Sequence, residues 1–290
     1  MMKFNHRKTR IGAAAVAGVV VAGGALAVSL TGSAQAAPDS LTHHVSAKQT
    51  AWVQLTPMPQ GTVKLGWDRW GGVDATVNAY GLTPGSAHTV ELVNEDGQEV
   101  ASFGTLTANS VGQAWAKLDS KYTHDLDGSR VVILNGTAGD PVSAEPIAHT
   151  PWDVEGGHTY RLTSVEVSAD GTRYGTPQGW AKVTYDPYAK TISVTVNASG
   201  VTPGAHAAHI HIGSCASQGA VKYMLMDFTA NDEGRINHET RTVTGVTTPL
   251  PASGWYLNLH QGNGNNIVDA NGNPTINFRP LICGNIVPQS

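Results

Sequence analysis

One stretch of this chain occurs twice, and the repetition limits the fold more than any other feature. Val73-Asp-Ala-Thr-Val-Asn-Ala-Tyr-Gly-Leu-Thr-Pro-Gly85 returns as Ile192-Ser-Val-Thr-Val-Asn-Ala-Ser-Gly-Val-Thr-Pro-Gly204, displaced by 119 positions. Apolar side chains fall at every second place, Val73, Ala75, Val77 and Ala79 in one copy and Ile192, Val194, Val196 and Ala198 in the other. That is the period of a strand with one buried face. The closing Gly and Thr-Pro-Gly are turn residues. A unit recurring at a fixed displacement predicts two tandem domains built on the same strands.

The rest of the chain has the same texture. Short β-like runs such as Thr62 to Leu65, His88 to Val93, Gln113 to Leu118, Trp180 to Tyr185 and Trp255 to His260 are separated by Gly, Pro, Asn and Asp. No window shows sustained helical spacing. The expected class is all-β, as two tandem Greek-key β-sandwiches. The first spans 51–150 and the second 151–290, with the boundary near 150, where Pro141, Pro146 and Pro151 cluster. Residues 37–50 are polar and read as a linker.

Residues 1–36 read as a signal peptide. Lys3, Arg7, Lys8 and Arg10 precede an apolar run from Ile11 to Leu30, and Ala34-Gln-Ala36 suits cleavage. An uncleaved membrane anchor is the alternative. Cleavage leaves 14 Lys and Arg against 22 Asp and Glu, a net charge of about −8. An acidic surface without clustered cations argues against nucleic acid or an anionic membrane as partner, and no stable membrane insertion is expected once the segment is removed. An exported chain with only Cys215 and Cys283 is expected to join them as one disulfide. Closing a loop of that length stabilises by about 4 kcal/mol on the chain-entropy account.

The candidate site lies in the second copy. His209 and His211 are two apart in an extended segment and therefore project from one face, where two imidazoles can share a metal ion. His260, at the end of another apolar run, is the natural third ligand. His206 and His238 compete for a fourth place; His238 is favoured because His206 faces away from the pair on a regular strand. The first copy offers His88-Thr89-Val90 in place of His209-Ile210-His211, and Asn135 in place of His260. Since that copy keeps the strands without the His set, the histidines read as chemistry rather than scaffold. Imidazole suits copper among other transition metals, and a set without Met or thiolate favours neither Cu(I) storage nor a blue-copper site. Asp125-Leu-Asp127-Gly128 and Asn265 to Asn273 are rich in calcium-type ligands, but the same residues serve turns. No motif specifies a hydrolase triad.

The second copy resembles the copper/zinc superoxide dismutase family and CHRD-type secreted domains. Ala208-His-Ile-His-Ile-Gly-Ser-Cys215 is similar to the strand bearing the dismutases' first two copper ligands and disulfide cysteine, and Trp255-Tyr-Leu-Asn-Leu-His-Gln-Gly262 to the strand bearing the last ligand. Phe228-Thr-Ala-Asn-Asp-Glu-Gly-Arg235 resembles the turn opening the intervening strand, and Phe278-Arg-Pro-Leu-Ile-Cys-Gly-Asn-Ile286 the strand with the partner cysteine. The resemblance implies copper on His209, His211 and His260, and Arg279 as the catalytic residue drawing in superoxide. Arg279 stands four residues before Cys283, where that family has three. Only Cys215 to Val221 replaces the loop that holds the family's zinc ligands, and it contains no His, so zinc is not expected. Two functions compete: an exported copper protein dismutating superoxide, and a non-catalytic CHRD-like binding or adhesion module of the cell surface.

Overall fold

The computed structural model describes residues 47–67, 72–121, 126–134, 142–144, 158–164, 166–167 and 173–289. The segment expected to be a signal peptide, most of the expected linker, Asp125, Asn135 and the expected boundary near 150 lie outside the described residues. The described ones belong to a compact unit that begins at His44.

The chain is all-β, as its alternation predicts. Its first strands are β1 (Gln49–Pro57), β2 (Gln60–Trp67), β3 (Val73–Tyr80), β4 (Ala87–Val93), β5 (Glu99–Thr107) and β6 (Gln113–Ser120). Then come β7 (Arg130–Ile133), β8 (Val142–Ala144), β9 (His158–Ser164), β10 (Glu166–Val167) and β11 (Arg173–Gly175). The second copy contributes β12 (Gln178–Asp186), β13 (Thr191–Ser199), β14 (Gly204–His206), β15 (Ala208–Ile212), β16 (Val221–Met224) and β17 (Phe228–Ala230). It ends with β18 (Arg235–Thr244), β19 (Trp255–His260) and β20 (Pro280–Asn285), the last preceded by a single 3-10 turn, Ile276–Phe278.

Two eight-stranded sheets result. One runs β5-β4-β7-β8-β9-β2-β3-β6 and the other β16-β15-β19-β20-β1-β12-β13-β18, while β10-β11 and β14-β17 form small separate pairs. Each large sheet curls around its own core. Val63, Leu65, Val77, Leu92, Ile133 and Leu162 fill the first; Val53, Leu55, Val194, Ile210, Leu257 and Ile282 belong to the second. Strands β5 and β6, at opposite ends of the first sheet, lie beside one another, so that sheet nearly closes.

The repeat is visible as matching ladders. Gly61 pairs with Ala79 on β3 as Gly179 pairs with Ala198 on β13. At both places a Cβ would run into a neighbouring backbone carbonyl, that of Asn78 or Asn197, which explains a glycine in mid-strand. The turn after each repeated strand is tied in the same way, Leu82 N–H donating to the Gly112 carbonyl (3.1 Å) and Val201 N–H to that of Gly234 (3.3 Å).

The strands are not divided between the sheets at one point in the sequence. β2 pairs with β9, Gly61 facing Leu162, whereas β12 pairs with β1, Gly179 facing Leu55. The first described strand therefore completes the second sheet, and β9, beyond residue 150, completes the first. β1 and β9 bury side chains at matching alternate positions, Val53 and Leu55 in the second core and Tyr160 and Leu162 in the first.

This exchange predicts that halves cut at residue 150 depend on one another. Residues 47–150 and 151–290, co-expressed and co-purified, are expected to elute from gel filtration as a 1:1 complex. Two folded monomeric halves eluting separately would show that β1 and β9 return to their own copies.

Candidate metal centre

Strand β15 forms because Ala208 and Ile210 point into the second core while the residues between them point away from it. That outward face carries His209 and His211. The neighbouring strand β19 places Asn258 opposite His209 and Tyr256 opposite His211, and alternation adds His260 to the same face. The face is nevertheless covered, and His209, His211 and His260 are 4%, 3% and 0% exposed.

The three imidazoles converge: one ligand nitrogen from each lies within 4.8 Å of the other two. Two are oriented from behind by the backbone. His211 Nδ1–H donates to the Gly219 carbonyl (2.9 Å), and His260 Nδ1–H donates to that of Phe278 (2.6 Å). Both bonds leave Nε2 with its lone pair directed at the cluster. His260 Nε2 accepts from His209 Nδ1 at 3.1 Å, and the buried Nε2 of His211 has no partner. Buried nitrogen without a partner is costly and needs a reason. The ring of Tyr256 stacks on His211, 4.9 Å between centroids, and fixes its tilt.

Electrostatics favour the neutral ligand form. Burial holds His209 at about 4, with the nearby His211 adding to the depression and Asp227 opposing it. Burial likewise brings His260 down to about 3, reinforced by His209, and lowers His211 against the pull of its bond to Gly219. Each ordinarily titrates near 6.5. The set is therefore neutral at physiological pH and ready to donate lone pairs. The disulfide forms beside it: Cys215 and Cys283 are bonded with Cα atoms 5.8 Å apart, and pack with Tyr256, Met58 and Tyr80.

Other candidate residues lie elsewhere. His238 sits on β18 at a ladder irregularity, with φ of 52°, its ring edge-on to Trp180 and hydrogen-bonded to Asn197; it is outside the three-histidine set. Its strand is the far edge of the sheet, with β19, β20, β1, β12 and β13 between it and β15. His206 is buried, its ring nitrogens 2.9 and 2.7 Å from the carbonyl oxygens of His260 and Thr202. His88 occupies the same place in the first sheet, Nδ1 donating to the Leu134 carbonyl at 2.9 Å. This pair is scaffold common to both copies. Arg279 is 2% exposed and hydrogen-bonds Gln261 Oε1 (2.7 Å), Ser164 Oγ (3.3 Å) and the Met58 carbonyl (3.4 Å). Its charge bears on His88, and its place in the sequence, just before β20, carries it towards the first sheet. In the suggested calcium loop, Asp269 accepts from the backbone N–H of Asn271 and Asn273, a turn-building role.

Matching the ladders corrects the counterparts read from sequence. With His88 equivalent to His206, Glu91 stands where the second copy has His209, Val93 where it has His211, and Leu134 where it has His260. Two observations fix this: Leu134 N–H bonds the Thr89 carbonyl as His260 N–H bonds that of Ala207, and Glu91 faces Val132 as His209 faces Asn258. Val132 is thus the counterpart of Asn258. That Asn is fully buried with neither amide atom partnered, and the alternation of His209, His211 and His260 did not single it out. Its signal was a lone polar residue inside the apolar run Trp255-Tyr-Leu-Asn-Leu.

No curated protein matches the chain. Residues 159–266 match the CHRD domain, a span that contains His209, His211 and His260 and ends before Arg279 and Cys283.

Proposed function

We propose that this chain is an exported, non-catalytic binding module of CHRD type whose bound species is a transition-metal ion, copper, held by His209, His211 and His260. The observation that carries the reading is the convergence of three buried imidazoles, two of them aimed by backbone carbonyls, with an unsatisfied Nε2 at the centre. Three neutral imidazoles without thiolate or thioether suit Cu(II), which also stands highest in the divalent affinity order. The CHRD match over the same residues and the disulfide support an extracellular module. Superoxide dismutation is not favoured by the charge layout, because Arg279 is buried and bonded to Gln261 and Ser164 instead of facing solvent beside the histidines.

Purified residues 37–290, loaded with Cu(II) and dialysed, are expected to retain one copper per chain by elemental analysis. His260→Ala is expected to bind at least about tenfold more weakly, since it removes one of three ligands. Copper-loaded protein should clear superoxide no faster than free copper at equal concentration. Retention below a tenth of an equivalent would overturn the metal assignment, leaving a module without a metal; superoxide clearance abolished by His260→Ala would restore the enzyme.

The depressed imidazole pKa values set the pH window. Protons compete with metal only where the folded histidines titrate, so copper is expected to stay bound from pH 7 to about 5 and to leave as pH falls through 4 towards 3. Without metal, stability follows the same groups: below 6.5 the unfolded chain takes up protons that the folded chain refuses, so stability falls as pH drops from 6.5 to about 4. Thermal melts of metal-free protein across that range check the sign.

A further inference from the structure

Asn258 stands directly opposite His209 in the β15–β19 ladder, and Tyr256 and His260 flank it on the same face of its own strand. On the other side its ladder partner is Cys283. It is 0% exposed, and both its Oδ1 and its Nδ2 lack a partner. The fold does not ask for an amide there, because the matching position of the first sheet is Val132, itself buried. An unpartnered buried carboxamide destabilises a protein, and an apolar residue of similar size would remove that cost.

Of its neighbours, Tyr256 is committed to the His211 ring and to the Gly219 N–H, which its hydroxyl accepts at 3.3 Å, and Cys283 is committed to the disulfide. The direction that holds unsatisfied chemistry is the imidazole side, where His211 Nε2 is also unpartnered. The first copy lacks both halves of this arrangement. Where the second has His209, His211, His260 and Asn258, the first has Glu91, Val93, Leu134 and Val132. The amide and the three imidazoles therefore differ between the copies as one set.

We propose that Asn258 is the positioning residue for a small oxygen or nitrogen ligand, a water molecule or a small anion, in the coordination position that the three histidines leave open. This rests on the metal reading above. A carboxamide can accept from a bound water through Oδ1 and donate to an anion through Nδ2, so a single side chain serves both kinds of occupant. Three protein ligands plus one exchangeable position is the arrangement of a site that binds a second molecule at its metal. Such a module would recognise a small coordinating group in a copper-dependent way.

The test uses copper-loaded residues 37–290 and the Asn258→Val variant, which installs the residue the first copy uses. Azide is titrated and followed through its charge-transfer absorption, and the visible spectrum is recorded against pH to follow the bound water. Asn258→Val is expected to keep one copper per chain, to bind azide about 10- to 100-fold more weakly, the usual cost of losing an orienting partner, and to shift the pH at which the spectrum changes. Its metal-free form is expected to melt higher than the wild type, since an unsatisfied amide is gone. Azide affinity and pH transition both within twofold of the wild type would overturn the proposal, whatever the change in melting. Should Asn258→Val lose its cooperative melt, Asn258→Ala, which adds no bulk, carries the same two readouts. Failure of the wild type to hold copper would instead overturn the metal reading on which the proposal rests.

Discussion

Pairing of β1 with β12 on one side and with β20 on the other joins the two parts of the second sheet. Without it, β12, β13 and β18 would form one ladder and β16, β15, β19 and β20 another, each with an open edge. The strand that closes this seam comes from the beginning of the described chain. It also leads directly into Met58, which packs against the Cys215–Cys283 disulfide and Tyr256, and whose carbonyl accepts from Arg279. The histidine-bearing ladder therefore depends on a contact of very large sequence separation. Such contacts cost loop entropy before they stabilise anything. The disulfide packs beside this seam, closing a 68-residue separation within the histidine-bearing part of the chain.

Much of this architecture was legible from side-chain alternation. The repeated strand, its inward set and the glycine turns follow from period-two patterning, and they appear as β3 and β13 with equivalent partners on both sides. The destination of β1 was not legible. Its alternation is shared with β9, and period-two patterning alone does not say which neighbour a strand pairs with. The counterparts of the histidines were also misread, for a related reason. Displacements between copies drift with loop length: Gln60 and Gln178 are 118 apart, Asn78 and Asn197 are 119 apart, and Leu134 and His260 are 126 apart. Hydrogen-bond register, which fixes equivalence, is a property of the sheet and not of the sequence.

The corrected equivalence sharpens the distinction between scaffold and chemistry. His88 and His206 occur at one position in both copies and serve the carbonyls of Leu134 and His260, so that histidine helps tie β4 to the end of β7 and β14 to β19. A site built from isolated histidines would have counted both. The converging three are different, since the first sheet builds the same ladder with Glu91, Val93 and Leu134. His238 lies apart from them because β18 is at the opposite end of the sheet from β15, a strand order that alternation within one strand does not encode.

The three-histidine face runs against the sheet's own stability. It buries imidazoles in their neutral form and leaves His211 Nε2 and the Asn258 amide unsatisfied, the latter in a strand whose six residues are all buried. Evidence that a strand tolerates such groups only beside compensating structure lies in what surrounds them: a disulfide, an aromatic ring stacked on His211, and carbonyls from Gly219 and Phe278 that hold two of the rings. Those supports fix the imidazoles before any ligand arrives, so little ordering entropy remains to be lost on binding. Rigid, dehydrated lone pairs facing one point are what a metal site requires and what a hydrophobic core would exclude. On the proposed metal reading, the face is a preformed receptor held in place by the rest of the fold, and its unsatisfied nitrogens are the cost of that role.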